Sequence, residues 1–150
     1  WSSDVCSSDL SLKETHMGVQ ITKPGIDLGI VTSNGEAMLA FYRDALGLEL
    51  KASVPMPVGD GTMHRLQCGD TLIKLVAVPS LPAKAPPGGI QGGAGFRYFT
   101  ITVSNLPQMV EACAAAGAKV AMKQREIRPG VSIAMVEDPD GNWVEFLQVG

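Results

Sequence analysis

The apolar positions of this chain change their period in a fixed order, from a β-rich run to helical spacing and back to short strands. An apolar run over 26–32 is followed by Leu39, Tyr42 and Leu46, which recur at helical spacing. Three strand candidates come next, at 48–54, 63–68 and 71–78. This order predicts one βαβββ unit.

Residues at both ends of the predicted helix support its position. Ser33 and Glu36 have the spacing of a capping box, in which the Ser hydroxyl accepts a helical amide and the Glu side chain reaches back to the cap amide. Gly47 suits the left-handed position that follows a helix. The sequence therefore predicts a helix between these residues.

A second series repeats the first at a constant offset of 71 residues, which places Ile30 on Ile101 and Ile73 on Val144. Its helix is predicted to open at Ser104 or Asn105, with Pro107 in the first turn. The remaining strand candidates are 119–125, 131–137 and 142–148, with a turn at 138–141. An offset that holds at both ends of the unit indicates two copies of it.

The repeat divides the chain into a module at 25–78, a Pro/Gly-rich linker at 79–95 and a module at 96–150. We predict that the linker is a solvated spacer, with a flap over a cavity as the alternative. Residues 1–10 have almost nothing to bury, and residues 1–16 are expected to be a non-native or disordered leader to a single domain at 17–150.

Composition narrows the function only slightly. A chain of 150 residues with a net charge of −3 fits one domain and lacks the basic face that nucleic-acid binding needs. No apolar run is long enough to span a bilayer, so we expect no membrane partner. Cys6, Cys68 and Cys113 show neither zinc spacing nor a disulfide framework, which favours a reducing, cytoplasmic setting.

Two sequence phrases carry a resemblance to a known family. Residues 39–48, LAFYRDALGL, resemble the opening of the vicinal oxygen chelate superfamily, and residues 137–146, EDPDGNWVEF, resemble its closing hairpin. That superfamily includes glyoxalase I, bleomycin-resistance proteins, extradiol dioxygenases and methylmalonyl-CoA epimerases. The resemblance covers about residues 25–150. It implies an α+β fold in which two tandem βαβββ modules form a curved, partly open barrel around a cavity for a small-molecule ligand. It also implies a possible homodimer.

The resemblance carries the family's four metal-ligand positions onto Asp27, Lys74, Tyr98 and Glu145. These positions are usually His or Glu in the family, and only Glu145 keeps that residue type. A protonated Lys has no lone pair, and Tyr is a poor ligand unless it is ionised. We therefore expect no cofactor, and a divalent metal is disfavoured.

Without a metal, the four residues suggest two readings. In the catalytic reading, Asp27 or Glu145 has a raised pKa and acts as a general base, while Tyr98 or Lys74 donates a proton or stabilises an oxyanion. In the structural reading, Lys74 neutralises one of the carboxylates in an ion pair.

Four further residues are candidates for substrate binding: Arg65, His64, Met56 and Trp143. Because side chains alternate along a strand, only one of Arg65 and His64 can face the cavity. If Leu66 packs under the helix, His64 lies on that same side and Arg65 turns inward, where it could clamp an anionic or carbonyl group.

Three functions stay open from the sequence. The first is a metal-independent lyase, isomerase or hydrolase acting on a small carbonyl or carboxylate compound. The second is a drug-binding protein of the bleomycin-resistance kind, which performs no chemistry. The third is a metal-dependent enzyme of the glyoxalase or dioxygenase type, which the four residues disfavour.

Overall fold

A computed structural model describes residues 19–57, 59–81 and 83–150 of the protein. The expected leader at 1–16 lies outside the described residues. None of the helices in the described ranges is long and apolar enough to cross a membrane.

The elements follow the βαβββ order twice, as the hydrophobic pattern predicts, and the α+β fold class is confirmed. The first module contains β1 (Leu28–Thr32), α1 (Gly35–Leu39), a π-helical segment (Ala40–Ala45), β2 (Glu49–Pro55), β3 (Thr62–Cys68) and β4 (Thr71–Ala77). A 3₁₀ turn (Gly89–Gln91) lies in the linker. The second module contains β5 (Tyr98–Thr102), α2 (Leu106–Ala115), β6 (Val120–Arg128), β7 (Val131–Glu137) and β8 (Trp143–Val149).

Each module forms one four-stranded sheet with the same strand order. Sheet 1 has the order β1-β4-β3-β2 and sheet 2 has the order β5-β8-β7-β6. The first strand of each module runs parallel to the last, and the other pairs are antiparallel. Gly29 pairs with Lys74 in sheet 1, and Thr100 pairs with Glu145 in sheet 2. The two sheets therefore place residues that differ by 71 in number at equivalent positions.

The predicted capping box is wrong. Asn34 is the N-cap residue of α1, and its side chain makes no capping hydrogen bond. The backbone N–H of Asn34 donates instead to the Thr32 hydroxyl at 2.9 Å, so the chain turns one residue before Ser33. The end of the helix agrees with the sequence, because Gly47 has a φ of +73°, in the left-handed region.

The two modules share one apolar core on the helix-bearing faces of their sheets. Tyr42 is fully buried and stacks on Phe99 of β5, with ring centroids 6.4 Å apart. The buried cluster contains residues from both modules: Met38, Phe41, Tyr42, Leu66, Ile73, Leu75, Leu106, Cys113, Ala134, Val136, Val144 and Phe146. Because helices and sheets of both modules contribute, each module is stabilised by the apolar surface of the other.

Candidate functional site

Strand alternation separates the core side of each sheet from a helix-free face. In sheet 1, Leu66 and Ile73 are buried in the core, so Arg65 and Lys74, their neighbours in sequence, point to the opposite face. In sheet 2, Val144 and Phe146 are buried in the core and Glu145 lies between them. We use the term helix-free face for the side of sheet 1 that carries Gly29, Val31, Arg65 and Lys74, and for the side of sheet 2 that carries Thr100, Met135, Trp143 and Glu145.

Asp27 and Lys74 form a direct ion pair on the helix-free face of sheet 1. The Lys74 ammonium lies 3.2 Å from Oδ2 of Asp27, and both side chains are partly exposed. The other oxygen, Oδ1, accepts hydrogen bonds from the Lys23 ammonium and, at 3.0 Å, from the backbone N–H of Leu72. Both carboxylate oxygens are therefore already paired with cationic or amide donors.

These contacts lower the pKa of Asp27 far below its ordinary value of 3.8. The Lys23 hydrogen bond is the largest cause, followed by the Leu72 amide, and the Lys74 hydrogen bond lowers the pKa further. The expectation of a raised pKa is therefore wrong for Asp27. A carboxylate with so low a pKa is a weak base, so this contact favours the structural reading for the pair.

Glu145 is in a different environment. It is 9% exposed, and its Oε1 accepts a hydrogen bond from the Thr100 hydroxyl at 2.8 Å. Within the described ranges, no protein donor reaches Oε2, and no buried side-chain oxygen there is left without a partner. Among the described residues, Glu145 therefore combines one anchored oxygen with one oxygen that no protein donor occupies.

Tyr98 lies on the same strand as Thr100, two residues earlier, and is therefore diagonal to Glu145 across the parallel pair. Its side chain is 48% exposed, and its direct cross-strand neighbour is Trp143. The structure thus brings Asp27 and Lys74 into contact in one module and places Tyr98 near Glu145 in the other. No hydrogen bond or ion pair of the described residues joins these two pairs.

Trp143 is held in place by two contacts. Its indole N–H donates to Oε1 of Glu137 at 3.1 Å, and Glu137 also pairs with Lys119. Gly89 of the linker lies against the indole ring so closely that a Cβ added there would stand 2.1 Å from a ring carbon. Because Trp143 lies on the helix-free face, the linker crosses that face at this point.

Arg97 fixes the linker in this position. Its Nε donates to the carbonyl of Gly89 at 2.6 Å, and its guanidinium also donates to the carbonyl of Pro86 at 2.6 Å. Gly89 itself is buried. The prediction of a solvated spacer is therefore wrong at Gly89, through which residues 86–92 form a strap bound to sheet 2, whereas the other residues between 83 and 91 are exposed.

The four predicted binding residues lie in different surroundings. Arg65 is exposed on the helix-free face, opposite Lys74. His64 points to the helix-bearing side, as expected if Leu66 packs under the helix, and its Nδ1 is 2.8 Å from the Ser53 hydroxyl. Its role in substrate binding stays a prediction. Burial, with a smaller effect from Arg43, lowers its pKa.

Met56 follows β2 at the hairpin to β3, and its backbone N–H donates to the Gly61 carbonyl at 3.0 Å. The structure therefore places Met56 at the end of sheet 1 rather than among the charged residues. Cys113 is fully buried on α2, and burial raises its pKa to about 11.

A cavity of about 210 Å³ lies between β1 and β5, where the two modules meet. Tyr98, Trp143 and Gly29 line it together with other residues of the same strands, and Phe96, which is fully exposed, lies at its edge. The aromatic lining suits an apolar or aromatic group of a small molecule.

The residues present do not fit a bound divalent metal. The described part of the chain contains no group of three or more His, Cys, Asp or Glu side chains placed to hold a metal ion. At the position where the family resemblance puts one, Asp27 is surrounded by the ammonium groups of Lys23 and Lys74, which would repel a cation.

Thr100, Lys23 and Arg97 belong to this site but are not among the residues predicted from the sequence. Thr100 could have been found, because it lies two residues after Tyr98 and shares its face of the strand. Lys23 lies four residues before Asp27, but this spacing indicates a contact only in a helix, which 23–27 is not. Arg97 gave no signal, because its partners are backbone carbonyls of the linker.

The strand order and the paired faces define a class of protein built from two βαβββ modules side by side. A model of the Glyoxalase/Bleomycin resistance protein/Dioxygenase superfamily matches residues 25–146. This match covers most of the chain, so the protein belongs to that superfamily, and the resemblance drawn from residues 39–48 and 137–146 is confirmed.

Individual relatives are more distant. A protein of Brassica oleracea var. gemmifera, described as "Putative lactoylglutathione lyase", is 41% identical over 59 residues, which is 39% of this chain and 21% of that protein. The match to a similar Arabidopsis thaliana protein covers 17% of its length. The aligned part of this chain thus spans about a fifth of the length of these plant relatives.

Solved structures share the fold along most of both chains. A glyoxalase family protein from Bacillus cereus has a TM-score of 0.75 at 14% identity, covering 89% of this chain and 97% of the other. TnmS3, an antibiotic binding protein from Streptomyces sp. CB03234, has a TM-score of 0.62 at 21% identity, covering 90% of this chain and 100% of the other. At these identities the likeness shows the fold alone.

Proposed function

We propose that this protein acts on a small organic molecule by acid–base chemistry that needs no metal, with Glu145 as the general base. The observation that carries the proposal is the environment of Glu145: it is 9% exposed, is anchored by Thr100 through Oε1, and keeps Oε2 open. Such a carboxylate is held in one orientation and can still accept a proton from a ligand.

The proposed step is a proton transfer. Oε2 of Glu145 takes a proton from a carbon next to a carbonyl group, or from a water that attacks the ligand. The negative charge then develops on the ligand's oxygen. The Tyr98 hydroxyl, diagonal to Glu145, is the proposed donor to that oxygen, and the Lys74 ammonium supplies positive charge from the other module. The class of reaction is a lyase, isomerase or hydrolase.

The test begins with a thermal-shift screen of small carbonyl and carboxylate compounds, because a ligand that binds the native state raises the melting temperature. Hits are then assayed for turnover with protein treated with EDTA and analysed for bound metals. We expect turnover without stoichiometric Fe, Zn, Ni or Mn. Tight 1:1 metal, with activity lost in EDTA and restored by that metal, would favour the metal-dependent glyoxalase or dioxygenase type instead.

A second candidate function is binding without chemistry, as in drug-binding members of the superfamily. The aromatic edge of the cavity between β1 and β5 supports it, because Phe96 is fully exposed and Tyr98 and Trp143 line the same space. In this case planar aromatic compounds would bind and be recovered unchanged. Phe96→Ala would weaken their binding, whereas Glu145→Gln would not.

The proposal includes a homodimer in the reducing cytoplasm. Several large apolar side chains are exposed on the described surface, including Ile26, Phe96 and Val149, as expected where a second subunit packs. Cys68 and Cys113 are free thiols, which is compatible with that compartment. Light scattering coupled to size exclusion should give twice the mass of the chain, and a monomer at micromolar concentration would contradict the dimer.

A further inference from the structure

The helix-free face of sheet 1 carries more positive than negative charge around one spot. Lys23 and Lys74 both contact the single carboxylate of Asp27. Arg65 lies directly opposite Lys74 on the neighbouring strand. Two cations therefore contact one anion, and a third cation, Arg65, is the cross-strand neighbour of Lys74.

We propose that Arg65 and Lys74 together form an anion-binding site for a carboxylate or phosphate group of the ligand. This inference rests on the proposed function, since it names the chemical class of the molecule that the same protein would bind. It goes beyond that function because a neutral carbonyl compound would not need this site.

The strand register places the two cations side by side. Arg65 pairs with Lys74 across β3 and β4, and side chains that are directly opposite in an antiparallel pair project to the same face. On its other side Arg65 faces Ala52 of β2, which has no charge. Within the described ranges, no hydrogen bond or ion pair involves the Arg65 guanidinium, whereas Arg43, Lys51 and Lys119 each have a carboxylate partner.

Like charges directly opposite each other in a sheet destabilise it. Asp27 offsets only part of this repulsion, because its two oxygens are shared between Lys23, Lys74 and the Leu72 amide. An anion placed between Arg65 and Lys74 would supply the missing negative charge. A bound anion would therefore reduce the repulsion between Arg65 and Lys74 and stabilise this part of the sheet.

The two side chains also complement each other chemically. The planar guanidinium of Arg65 offers parallel N–H donors that match two oxygens of a carboxylate or phosphate, and the Lys74 ammonium acts as a compact point charge. The shared requirement is an anionic group with at least two terminal oxygens.

The experiment uses the full chain and two probes, inorganic phosphate and malonate, followed by two-dimensional NMR of backbone amides and of the Arg Nε–H groups. We expect saturable shifts confined to β3 and β4, with a distinct shift of the Arg65 Nε–H. Arg65→Gln and Lys74→Gln should each weaken binding about tenfold, the typical effect of losing a charged hydrogen bond. Lys123→Gln, the same change on the exposed β6 of sheet 2, is the matched control and should leave binding unchanged.

Two results would overturn the proposal: no saturable shift with either probe, or equal binding by wild-type protein and Arg65→Gln. If Lys74→Gln fails to fold, Arg65→Gln and Arg65→Lys keep the proposal testable. Arg65→Lys should retain part of the affinity for phosphate but lose more for malonate, because it keeps the charge and loses the paired donors. A stronger response to phosphate or to malonate tells which anionic group the site prefers.

The failure of this site and the failure of the proposed function can be told apart. Glu145→Gln should leave phosphate and malonate binding unchanged, because Glu145 lies in the other sheet. Turnover of a neutral ligand without anion binding would reject only the anion site. Anion binding without turnover of any ligand would reject only the proposed catalytic activity.

Discussion

The Tyr42 hydroxyl donates a hydrogen bond to Oδ2 of Asp138, 96 residues further along the chain, at 2.7 Å in the buried core. Asp138 also accepts bonds from the backbone N–H groups of Asp140 and Asn142 and from the Asn142 amide. One carboxylate therefore shapes the turn between β7 and β8 and ties it to the helix of the other module.

Tyr42→Phe should destabilise the protein by about 1–3 kcal/mol, because it removes one donor from a buried carboxylate and leaves the ring packing intact. Urea denaturation measures the free energy of unfolding. Tyr98→Phe, the same change on a half-exposed side chain, should have little effect. Equal stability of Tyr42→Phe and wild type would show that this bond does not hold the modules together.

Asp27 should make the protein more sensitive to acid. Its pKa is lower in the folded state than its ordinary value of 3.8, so its contribution to stability is present above that value and is lost as the pH falls below it. The difference in unfolding free energy between wild type and Asp27→Asn should therefore be constant from about pH 7 to about pH 5 and shrink in stronger acid.

The same measurement on Lys23→Gln checks the cause. Lys23 is the largest contributor to the low pKa, so this variant should lose part of the acid sensitivity while keeping the Lys74 contact. A difference between wild type and Asp27→Asn that does not change with pH would contradict the ion pairs described for Asp27.

Gly89→Ala should displace the strap formed by residues 86–92. The added Cβ would lie 2.1 Å from the Trp143 ring, and the φ of +55° disfavours any residue with a side chain. The strap can respond only by moving away, which exposes the indole. We expect a red shift of the Trp143 fluorescence, measured in a Trp1→Phe background so that one tryptophan reports.

Gly93→Ala is the matched control, because a Cβ there meets only Pro86 side-chain atoms at ordinary contact distances of 3.7 Å or more. Its emission should equal that of the parent protein. If both glycine variants gave the same spectrum as the parent, the strap would not be packed on Trp143.

The sequence predicted the order of the elements because periodicity reports burial, and burial recurs in both modules. The strand candidate at 131–137 agrees with the observed β7 at both ends, and that at 71–78 differs from β4 by one residue. The prediction of the helix cap was wrong because Thr32, Ser33 and Asn34 all have short polar side chains, and the path of the backbone decides which of them accepts a hydrogen bond at the start of the helix.

The candidate site was less predictable, because its chemistry depends on partners that lie far apart in sequence. Asp27 and Glu145 are both carboxylates, yet Asp27 contacts two ammonium groups whereas Glu145 accepts a hydrogen bond from a Thr hydroxyl. No local pattern distinguishes these environments. The path of the linker over Trp143 could not be predicted from the sequence either, because Pro and Gly are common both in solvated spacers and in segments that pack on a sheet.

The most direct test of the proposed function is the turnover number of Glu145→Gln, measured with EDTA-treated protein on a ligand that wild type converts. Gln keeps the size and the Thr100 contact but cannot accept a proton at Oε2. The proposal predicts that kcat falls by about 10²–10⁴-fold, the usual contribution of a general base, while ligand affinity stays the same. A kcat close to that of wild type would contradict the assignment of Glu145 as the base.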